Sequence, residues 1–380
     1  TQRLIGVLKK LRDLGNTVIV VEHDEEVMRA ADHIIDMGPM AGSHGGEVVF
    51  SGSHEGLTSS DGLTARYLTG REFIPLPTRR RAVRDRLILR GASEHNLKGI
   101  DASFPLNMLT VVTGVSGSGK TTLVKRILHP ALKRIIEGFS ERPGEHTALE
   151  GDISRIEAVE LVDQNPIGRS SRSNPVTYVK AWDEVRQLFT EQDVAKMRGY
   201  KPSFFSFNVD GGRCEICQGE GEVRIEMQFM ADISLTCDSC KGKRFKEEIL
   251  DVKFHGRDVA EVLDMTVDDA ITFFQQHMDV TACARIVSKL LPLQQTGMGY
   301  VKLGQSSSTL SGGEAQRIKL ASFLTKGQDE KPTLFIFDEP TTGLHFHDIA
   351  KLLHAFDMLI ANGHSVICIE HNTEVIKCAD

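Results

Sequence analysis

The stretch that most limits how this chain can fold is a glycine-rich loop, GVSGSGKTT, which begins at Gly114. An apolar segment, Leu109–Thr113, precedes it, and LVKRIL, which has helical spacing, follows it. A glycine-rich loop between a strand and a helix is the context of a P-loop, in which backbone N–H groups at a helix N-terminus bind phosphate. The sequence therefore predicts an α/β domain built around a phosphate site.

The residue types of the loop suit separate parts of that site. Glycines let backbone N–H groups approach the phosphates, Lys120 reaches the terminal phosphates, and the Thr121 hydroxyl can ligate Mg²⁺. The predicted nucleotide-binding residues of the loop are Gly114, Ser116, Gly117, Gly119, Lys120, Thr121 and Thr122.

A second candidate part of the site is TLFIFDEP at 333–340, an apolar strand that ends in two acids. Alone, such a pair is more often an ordinary strand edge. Beside a P-loop, however, the end of a strand is where Mg²⁺ and the attacking water must be held. We therefore assign Asp338 to the metal and Glu339 to the water.

Between these two segments lies TLSGGEAQRIKLA, in which Ser311 is a suitable N-cap for a helix. Gly312 and Gly313 expose N–H groups at the helix start, which favours an anion. We predict that all three residues bind nucleotide, because an ordinary capped helix would not need two glycines.

The order of these motifs resembles the ATP-binding cassette family: the P-loop, Gln164 in LVDQNP, LSGGE, DEP, TTGLH and then His371. The resemblance implies that two cassettes enclose two ATP molecules, each bound by the P-loop of one cassette and the LSGGE segment of the other. It also implies three catalytic residues. Gln164 would sense Mg²⁺ and nucleotide, Glu339 would polarise water, and His371 would contact the γ-phosphate.

Part of this motif set occurs twice. VIVVEHDEEV at 18–27 returns as VICIEHNTEV at 366–375, and nine of the 18 aligned pairs that start at 15 and 363 are identical. Both copies contain a glycine, a β-branched strand, a Glu-His pair and a helix. We expect His23 to be the equivalent of His371 in another cassette. Most of that cassette would lie before the chain begins, and the closing strands of the second cassette would lie after it ends.

Four of the seven cysteines form two close pairs, in CEICQGEG at 214–221 and CDSCKGKR at 237–244. Alternating apolar residues between the pairs predict a β-hairpin with a turn near Ala231–Asp232. Such a hairpin brings the pairs together, so Cys214, Cys217, Cys237 and Cys240 can form a closed, structural Zn²⁺ site. Alternatives are four unrelated cysteines, or the module of DnaJ-like chaperones, which repeats CxxCxGxG four times where this chain has one full copy.

A zinc lobe inserted between the glutamine segment and LSGGE resembles the UvrA family, the damage-sensing subunits of bacterial nucleotide excision repair. Longer stretches carry the same resemblance, among them IGRSSRSNPVTY, RGYKPSFFSFNVDGGRCEICQGEG and DEPTTGLHFHDIAKLL. It covers the whole chain, as the C-terminal part of such a protein. The resemblance implies an ATPase that uses ATP, Mg²⁺ and Zn²⁺, acts as a homodimer and binds damaged double-stranded DNA. It would load a UvrB-like helicase partner through a surface in the missing N-terminal half.

Together these features predict an α/β fold, an ATP-binding cassette P-loop ATPase with an inserted zinc-ribbon and helical lobe. Residues 1–52 would be the C-terminal remnant of a first module, with strands at 18–21, 34–37 and 47–50 and a helix from about 24 to 31. Residues 53–86 would be a linker. The second module would occupy 87–164 and 305–380, interrupted by the lobe at 165–304 with its zinc hairpin at 214–240.

The net charge of −7 argues against indiscriminate binding to nucleic acid, so DNA contacts must use local basic patches. The candidates near the zinc lobe are Arg169, Arg172, Lys201, Arg213, Lys241, Lys243 and Arg244. For each one singly, a solvated surface charge is the alternative. Ser203–Phe204 stand where the UvrA family usually has Gly-Arg, and Asp210 lies near a usual lysine, so this stretch is less basic than the family pattern.

Two other functions compete with DNA repair. A transporter subunit would need an uninterrupted cassette and a coupling surface for a membrane domain. A ribosome-acting tandem cassette factor would have no zinc ribbon. The sequence has no apolar run near the roughly 20 residues of a membrane span and no signal peptide, which favours a cytoplasmic protein without a membrane partner.

Overall fold

The computed structural model describes residues 1–42, 45–168, 172–225, 227, 233–326 and 331–380, with the side chain of Lys326 left aside. These residues separate into two compact units. Unit 1 is Thr1–Leu161 with Lys331–Asp380, and unit 2 is Val162–Glu330. Helices and strands occur throughout, so the predicted α/β class is confirmed.

The regular elements follow one another in short segments. In chain order, the strands are β1 (Ile34–Gly38), β2 (Glu47–Gly52), β3 (Arg86–Ala92), β4 (Ile100–Pro105), β5 (Leu109–Val112), β6 (Ala148–Gly151), β7 (Ala158–Val162), β8 (Glu222–Ile225), β9 (Ile233–Thr236), β10 (Lys253–Phe254), β11 (Arg257–Asp258), β12 (Thr333–Asp338) and β13 (Ser365–Ile369). The helices are α1 (Gln2–Asp13), α2 (Glu25–Ala30), α3 (His54–Thr58), α4 (Leu63–Leu68), α5 (His129–Glu137), α6 (Pro175–Tyr178), α7 (Ala181–Thr190), α8 (Asp193–Met197), α9 (Glu247–Leu250), α10 (Val259–Asp264), α11 (Val267–Gln275), α12 (Thr281–Gln295), α13 (Gly312–Lys326), α14 (Phe346–Ala361) and α15 (Thr373–Cys378). A π-helical segment, Thr122–Leu128, leads into α5.

The central sheet of unit 1 has the strand order β5-β13-β12-β7. β13 runs parallel to both β5 and β12, with Val366 opposite Leu109 and Ser365 opposite Leu334. β13 is buried along its whole length and β12 up to Phe337, as expected for parallel strands covered on both faces. Since parallel strands end at one edge of a sheet, the loops after β5, β12 and β13 lie together.

The core of unit 1 lies between this sheet and a smaller antiparallel one, β4-β3-β6. Leu87 and Phe104 of the small sheet share one buried cluster with Ile336 and Ile367 of the central sheet. The helical segment after the glycine-rich loop fills the same cluster with Ile127 and other apolar residues. The loop is therefore anchored on both sides, by a central strand before it and by a buried helix after it.

The first 30 residues differ from the prediction at one element. The predicted strand at 18–21 does not form, and Ile19 and Val21 are 87% and 98% exposed. A strand requires a hydrogen-bonded neighbour, and the described residues supply none to this segment. The helix after it does form, because Asp24 accepts a hydrogen bond from the Val27 N–H (3.1 Å) and caps α2.

The predicted linker at 53–86 contains two short helices, α3 and α4. Leu57 and Ala65, one from each helix, are fully buried and form a small cluster with Ile34 of β1. The Thr64 hydroxyl donates to Asp36 Oδ1 at 3.0 Å, which ties α4 to the same strand. The linker boundaries at 52/53 and 86/87 remain predictions.

Unit 2 is a helical body that carries a small hairpin. Its core draws on α7, α11, α12 and α13, with Phe189, Phe274, Leu290 and Ile318 fully buried. α13 thus packs in this unit, whereas the prediction grouped 305–380 with the second cassette. In the hairpin, β8 and β9 are antiparallel, with Val223 opposite Leu235. The predicted turn at Ala231–Asp232 lies outside the described residues.

Candidate functional site

The loop after β5 has a backbone shape that only glycine adopts without strain at three positions. Gly114, Gly117 and Gly119 have φ angles of +148°, +78° and +103°. At Gly119 an added Cβ would also lie 2.8 Å from Leu97 Cδ2. The glycines therefore keep this loop free of side chains where its N–H groups would meet a phosphate.

Lys120 lies over this loop. The residue is 8% exposed, and its Nζ donates to the carbonyl oxygens of Gly114 (2.8 Å) and Val115 (3.1 Å). Charge-assisted hydrogen bonds to an anion are stronger than those to neutral carbonyls, so a phosphate would compete well for this ammonium group. The glycine-rich loop and Lys120 together fit the phosphates of a nucleotide.

Asp338, the predicted metal ligand, already faces a cation. Its Oδ2 accepts a hydrogen bond from Lys125 Nζ at 2.8 Å, and the two side chains are about one quarter exposed (24% and 28%). Sequence reasoning missed Lys125, because LVKRIL was used only to predict a helix. A divalent cation held by Asp338 would share the carboxylate with this lysine or displace it.

The ends of β12 and β13 bring Glu339 and His371 together. Glu339 Oε1 lies 3.4 Å from His371 Nε2, and both side chains are about half exposed. The Glu339 N–H donates to the carbonyl of Ile369 at 2.9 Å, and its φ of +47° is unusual for a residue with a side chain. A carboxylate held in this way beside an imidazole can accept a proton from a water molecule.

The predicted anion site at the start of α13 lies in unit 2. Ser311 and Glu314 form a reciprocal cap: the Glu314 N–H donates to Ser311 Oγ (3.3 Å), and the Ser311 N–H donates to Glu314 Oε2 (2.8 Å). A Cβ on Gly312 would lie 3.0 Å from Gln164 Cβ. Gln164 and the Ser311–Gly312–Gly313 turn are therefore neighbours, and a larger residue at 312 would crowd Gln164.

Two side chains of α13 hold the segment that leads to Gln164. Gln316 Nε2 donates to the Val162 carbonyl (2.8 Å), and Lys319 Nζ donates to Asp163 Oδ1 (2.6 Å). Burial alone would raise the pKa of the Asp163 carboxyl, but the Lys319 ammonium group lowers it below the ordinary value. The ion pair thus keeps Asp163 charged and fixes the chain just before Gln164.

The four paired cysteines meet in one buried cluster, with their sulfur atoms all within 4.8 Å of one another. The Sγ atoms of Cys214 and Cys237 are 3.9 Å apart, and those of Cys217 and Cys240 are 3.6 Å apart. A tetrahedron of Zn–S bonds has sulfur–sulfur edges of about 3.8 Å, whereas a disulfide would need about 2.05 Å. Burial raises the pKa of the Cys240 thiol, and a bound cation would favour its thiolate form. The donor set fits Zn²⁺.

Comparison with known proteins finds relatives that match this chain over all of its residues. The chain is 51% identical over 380 residues to UvrABC system protein A of Clostridium perfringens, and 53% identical over 381 residues to that of Thermus thermophilus. Both alignments cover 100% of this chain. In the crystal structure of UvrA2 from Deinococcus radiodurans, a region with 42% identity matches the whole chain with a TM-score of 0.90. Over its whole length, the chain is similar to proteins of the UvrA family.

The chain spans about two fifths of the length of the curated UvrA relatives it matches (40% and 39%) and 44% of the UvrA2 chain. No protein-family model matches it. Among the described residues, no helix combines the length and the hydropathy that crossing a membrane requires.

The basic residues that the sequence predicts to contact DNA differ in their surroundings. Arg213 is 12% exposed at its side chain and pairs with Asp210 at 2.6 Å. Arg244 donates to the Gly304 carbonyl (2.8 Å), and its guanidinium lies over the Phe207 ring. These two arginines make contacts inside unit 2. Arg169 lies outside the described residues.

The other predicted basic groups are more accessible. Lys201, Lys241 and Lys243 are exposed, and Arg172 donates to the Gln218 carbonyl at 3.3 Å from a half-buried position. Lys241 and Lys243 line a cleft of about 830 Å³ beside the cysteine cluster, together with Arg224 and Lys302. The cleft also contains acidic groups, Glu220 and Glu261 among them. A basic surface therefore exists next to the four-cysteine cluster, and the acidic groups of the cleft partly neutralise its positive charge.

Proposed function

We propose that the protein to which this chain belongs is an ATP-dependent sensor of DNA damage in nucleotide excision repair. It binds distorted duplex DNA and loads a helicase-like partner, and this chain supplies one ATP-hydrolysing module. One observation carries the proposal. Neighbouring parallel strands of a single sheet lead to the P-loop, to the Asp338–Glu339 pair and to His371. They do so in a chain that is 51% identical, over its own 380 residues, to UvrABC system protein A of Clostridium perfringens.

At the nucleotide, each residue has a distinct part. Lys120 and the glycine-loop N–H groups bind the β- and γ-phosphates, and Thr121 and Asp338 hold Mg²⁺, which neutralises phosphate charge when bound. Glu339 orients the attacking water and accepts its proton, and His371 donates a hydrogen bond to the γ-phosphate. Ser311, Gly312 and Gly313 of a second module close the site from the other side.

This arrangement sets how active the chain is on its own. A single module binds ATP at Lys120 but lacks the second module's Ser311 segment over the same nucleotide. We therefore expect weak turnover from separated chains and stronger turnover when two copies pair head to tail. Specific activity should rise with chain concentration, and a rate that is independent of concentration would contradict the shared site.

The four cysteines hold Zn²⁺ for stability, because four protein ligands leave no open position for catalysis. The hairpin above the cluster lacks a core of its own: Val223, Ile225, Ile233 and Leu235 are all more than one third exposed. The metal thus replaces the hydrophobic burial that such a small element cannot provide.

DNA is bound through phosphate contacts and recognised by its deformability, which needs no contact with base edges. The residues with the best access are Lys201, Lys241 and Lys243 in unit 2. This modest basic surface accords with a protein that discriminates distorted from regular duplex rather than one that coats DNA.

The deciding experiment is fluorescence anisotropy with a damaged and an intact duplex of one sequence, each with and without ATP. Charge reversal of Lys201, Lys241 and Lys243 to Glu should weaken binding at least tenfold. It should also reduce the slope of log K against log salt by roughly 0.9 for each phosphate that the variant no longer neutralises. The control reverses three exposed lysines of unit 1, Lys9, Lys10 and Lys98. Equal affinity for both duplexes would contradict damage recognition, and an equal decrease in both variants would contradict the assigned surface.

A further inference from the structure

A buried carboxylate lies at the end of β13, one residue before His371. Glu370 is 2% exposed, and the site described above gives it no part. A carboxylate removed from water is costly unless hydrogen-bond donors surround it. The donors around Glu370 therefore indicate why this charge is kept in the interior.

Four donors from two loops meet this carboxylate. On one side, Oε1 accepts hydrogen bonds from the Thr341 N–H (2.9 Å) and from the Thr341 hydroxyl. On the other, Oε2 accepts from the N–H groups of His371 (2.6 Å) and Asn372 (2.8 Å). One oxygen thus serves the loop after β12, and the other serves the loop after β13.

Those loops carry the two groups that stand closest to the proposed chemistry. Thr341 follows Glu339 by two residues, and the Glu339 N–H is itself bound to the Ile369 carbonyl at 2.9 Å. The positive φ of Glu339 is a conformation that surrounding contacts must hold in place. The Glu370 N–H also donates to the Val112 carbonyl (3.2 Å), at the end of the strand that enters the P-loop. Glu370 therefore connects the ends of three adjacent strands.

We propose that Glu370 is a positioning residue for ATP hydrolysis, which joins the Glu339 loop to the His371 loop and fixes their separation. The inference rests on the proposed function, because it concerns the same site. The 3.4 Å distance between Glu339 Oε1 and His371 Nε2 is set by backbones that Glu370 holds on both sides. Misplacement of a catalytic group by about 1 Å can lower the rate 100-fold.

The chemistry of the four bonds selects a carboxylate. Both oxygens must accept, so the amide of Glu370→Gln would place an NH₂ group against the N–H donors of one loop. Glu370→Asp shortens the side chain by one methylene and can reach only one loop. Thr341→Val keeps the shape of Thr341 but removes its hydroxyl donor, and Thr341→Ser keeps the donor. These variants separate the hydrogen bonds from the space that the side chains fill.

The test combines two measurements on Glu370→Gln, Thr341→Val and Thr341→Ser. The first is amide hydrogen exchange at His371 and Asn372, which needs no turnover. The second is ATP hydrolysis, resolved into kcat and KM, at a chain concentration that gives measurable wild-type rates. Glu157→Gln is the control for removal of one carboxylate in unit 1, since that side chain is 54% exposed.

In Glu370→Gln, we expect faster exchange at both amides and a kcat about 100-fold lower, with KM for ATP within about twofold because the P-loop is unchanged. In Thr341→Val, exchange should also rise at His371 and Asn372, on the opposite loop, with a smaller decrease in kcat. Thr341→Ser should restore both. If Glu370 only stabilised the fold, a substitution at Thr341 would not change hydrogen exchange in the His371 loop.

Unchanged exchange at His371 and Asn372 in both Glu370→Gln and Thr341→Val would overturn the inference. So would a normal kcat in Glu370→Gln under conditions where Glu339→Gln abolishes turnover. If Glu370→Gln does not fold, Thr341→Val against Thr341→Ser decides by the same criteria. If Glu339→Gln leaves turnover intact, the proposed function fails, and the exchange data still show whether the two loops are joined.

Discussion

Glu339 unites three features at the scale of a single residue: a positive φ, a backbone bond to Ile369 and a carboxylate oxygen 3.4 Å from His371 Nε2. Glu339→Gln keeps the shape and the ability to orient water but cannot accept a proton. We expect kcat to fall between about 10²- and 10⁴-fold, with ATP affinity nearly unchanged. Steady-state hydrolysis and equilibrium binding of a fluorescent ATP analogue measure the two quantities. A decrease of affinity in step with kcat would show that Glu339 binds nucleotide instead.

Asp163 provides a prediction about pH, because its pKa is lowered in the folded chain, where Lys319 outweighs the effect of burial. A lowered pKa means that the ion pair stabilises the fold fully above the unfolded pKa of about 3.9, and that this contribution is lost as the pH falls through the folded value. Asp163→Asn should therefore reduce the free energy of unfolding at pH 7, and the difference from wild type should vanish at low pH. Urea unfolding at several pH values measures it. A constant difference across pH would assign the effect to packing.

Some residues of the site can be predicted from sequence, and others cannot. The proposed roles of the P-loop and LSGGE residues depend on backbone conformation and local hydrogen bonds, so short motifs reveal these residues. Lys125 and Glu370 act on partners more than 200 and nearly 30 positions away, at Asp338 and Thr341. The helical pattern around Lys125 and the Glu-His pair that contains Glu370 do not indicate these distant partners, although Glu370 does lie in the repeated segment at 366–375.

The repeated segment, found at 18–27 and again at 366–375, shows the same limit of sequence-based prediction at the scale of an element. In its second copy, VICI at 366–369 forms most of β13, which is fully buried between β5 and β12. In its first copy, the matching VIVVEH forms no strand, and Val21 is 98% exposed. The β-branched residues are alike, so the difference comes from neighbouring strands, which only tertiary structure supplies. The helix after each copy needed no such help, since Asp24 and Asn372 cap it locally.

The cysteine hairpin carries the prediction about metal removal. We expect one Zn²⁺ for each chain, and Cys237→Ser should release it and expose the segment around β8 and β9 to proteolysis, because the strands are too exposed to hold together alone. Cys283→Ala is the matched control, a fully buried cysteine outside the cluster. Metal content measured by atomic absorption and limited digestion give the readouts. Full zinc content in Cys237→Ser would remove that cysteine from the ligand set.

At the scale of the whole molecule, the proposed site needs residues from two copies of the module, since we propose that the P-loop of one copy faces Ser311, Gly312 and Gly313 of the other. Sequence alone could place both segments, because each is a continuous motif. Which copies face each other depends on assembly, which a motif does not encode. The most direct test is therefore functional complementation between two inactive variants.

Lys120→Ala destroys the P-loop but leaves the Ser311 segment intact, and Ser311→Arg does the reverse. Each variant alone should hydrolyse ATP poorly. In a head-to-tail pair of the two, one site combines both damaged segments, and the other combines the intact P-loop with the intact Ser311 segment. Random pairing in an equal mixture makes half of the dimers mixed, so roughly a quarter of wild-type turnover should return. Turnover that equals the average of the separate variants would show that each chain works alone, and the shared site would then be wrong.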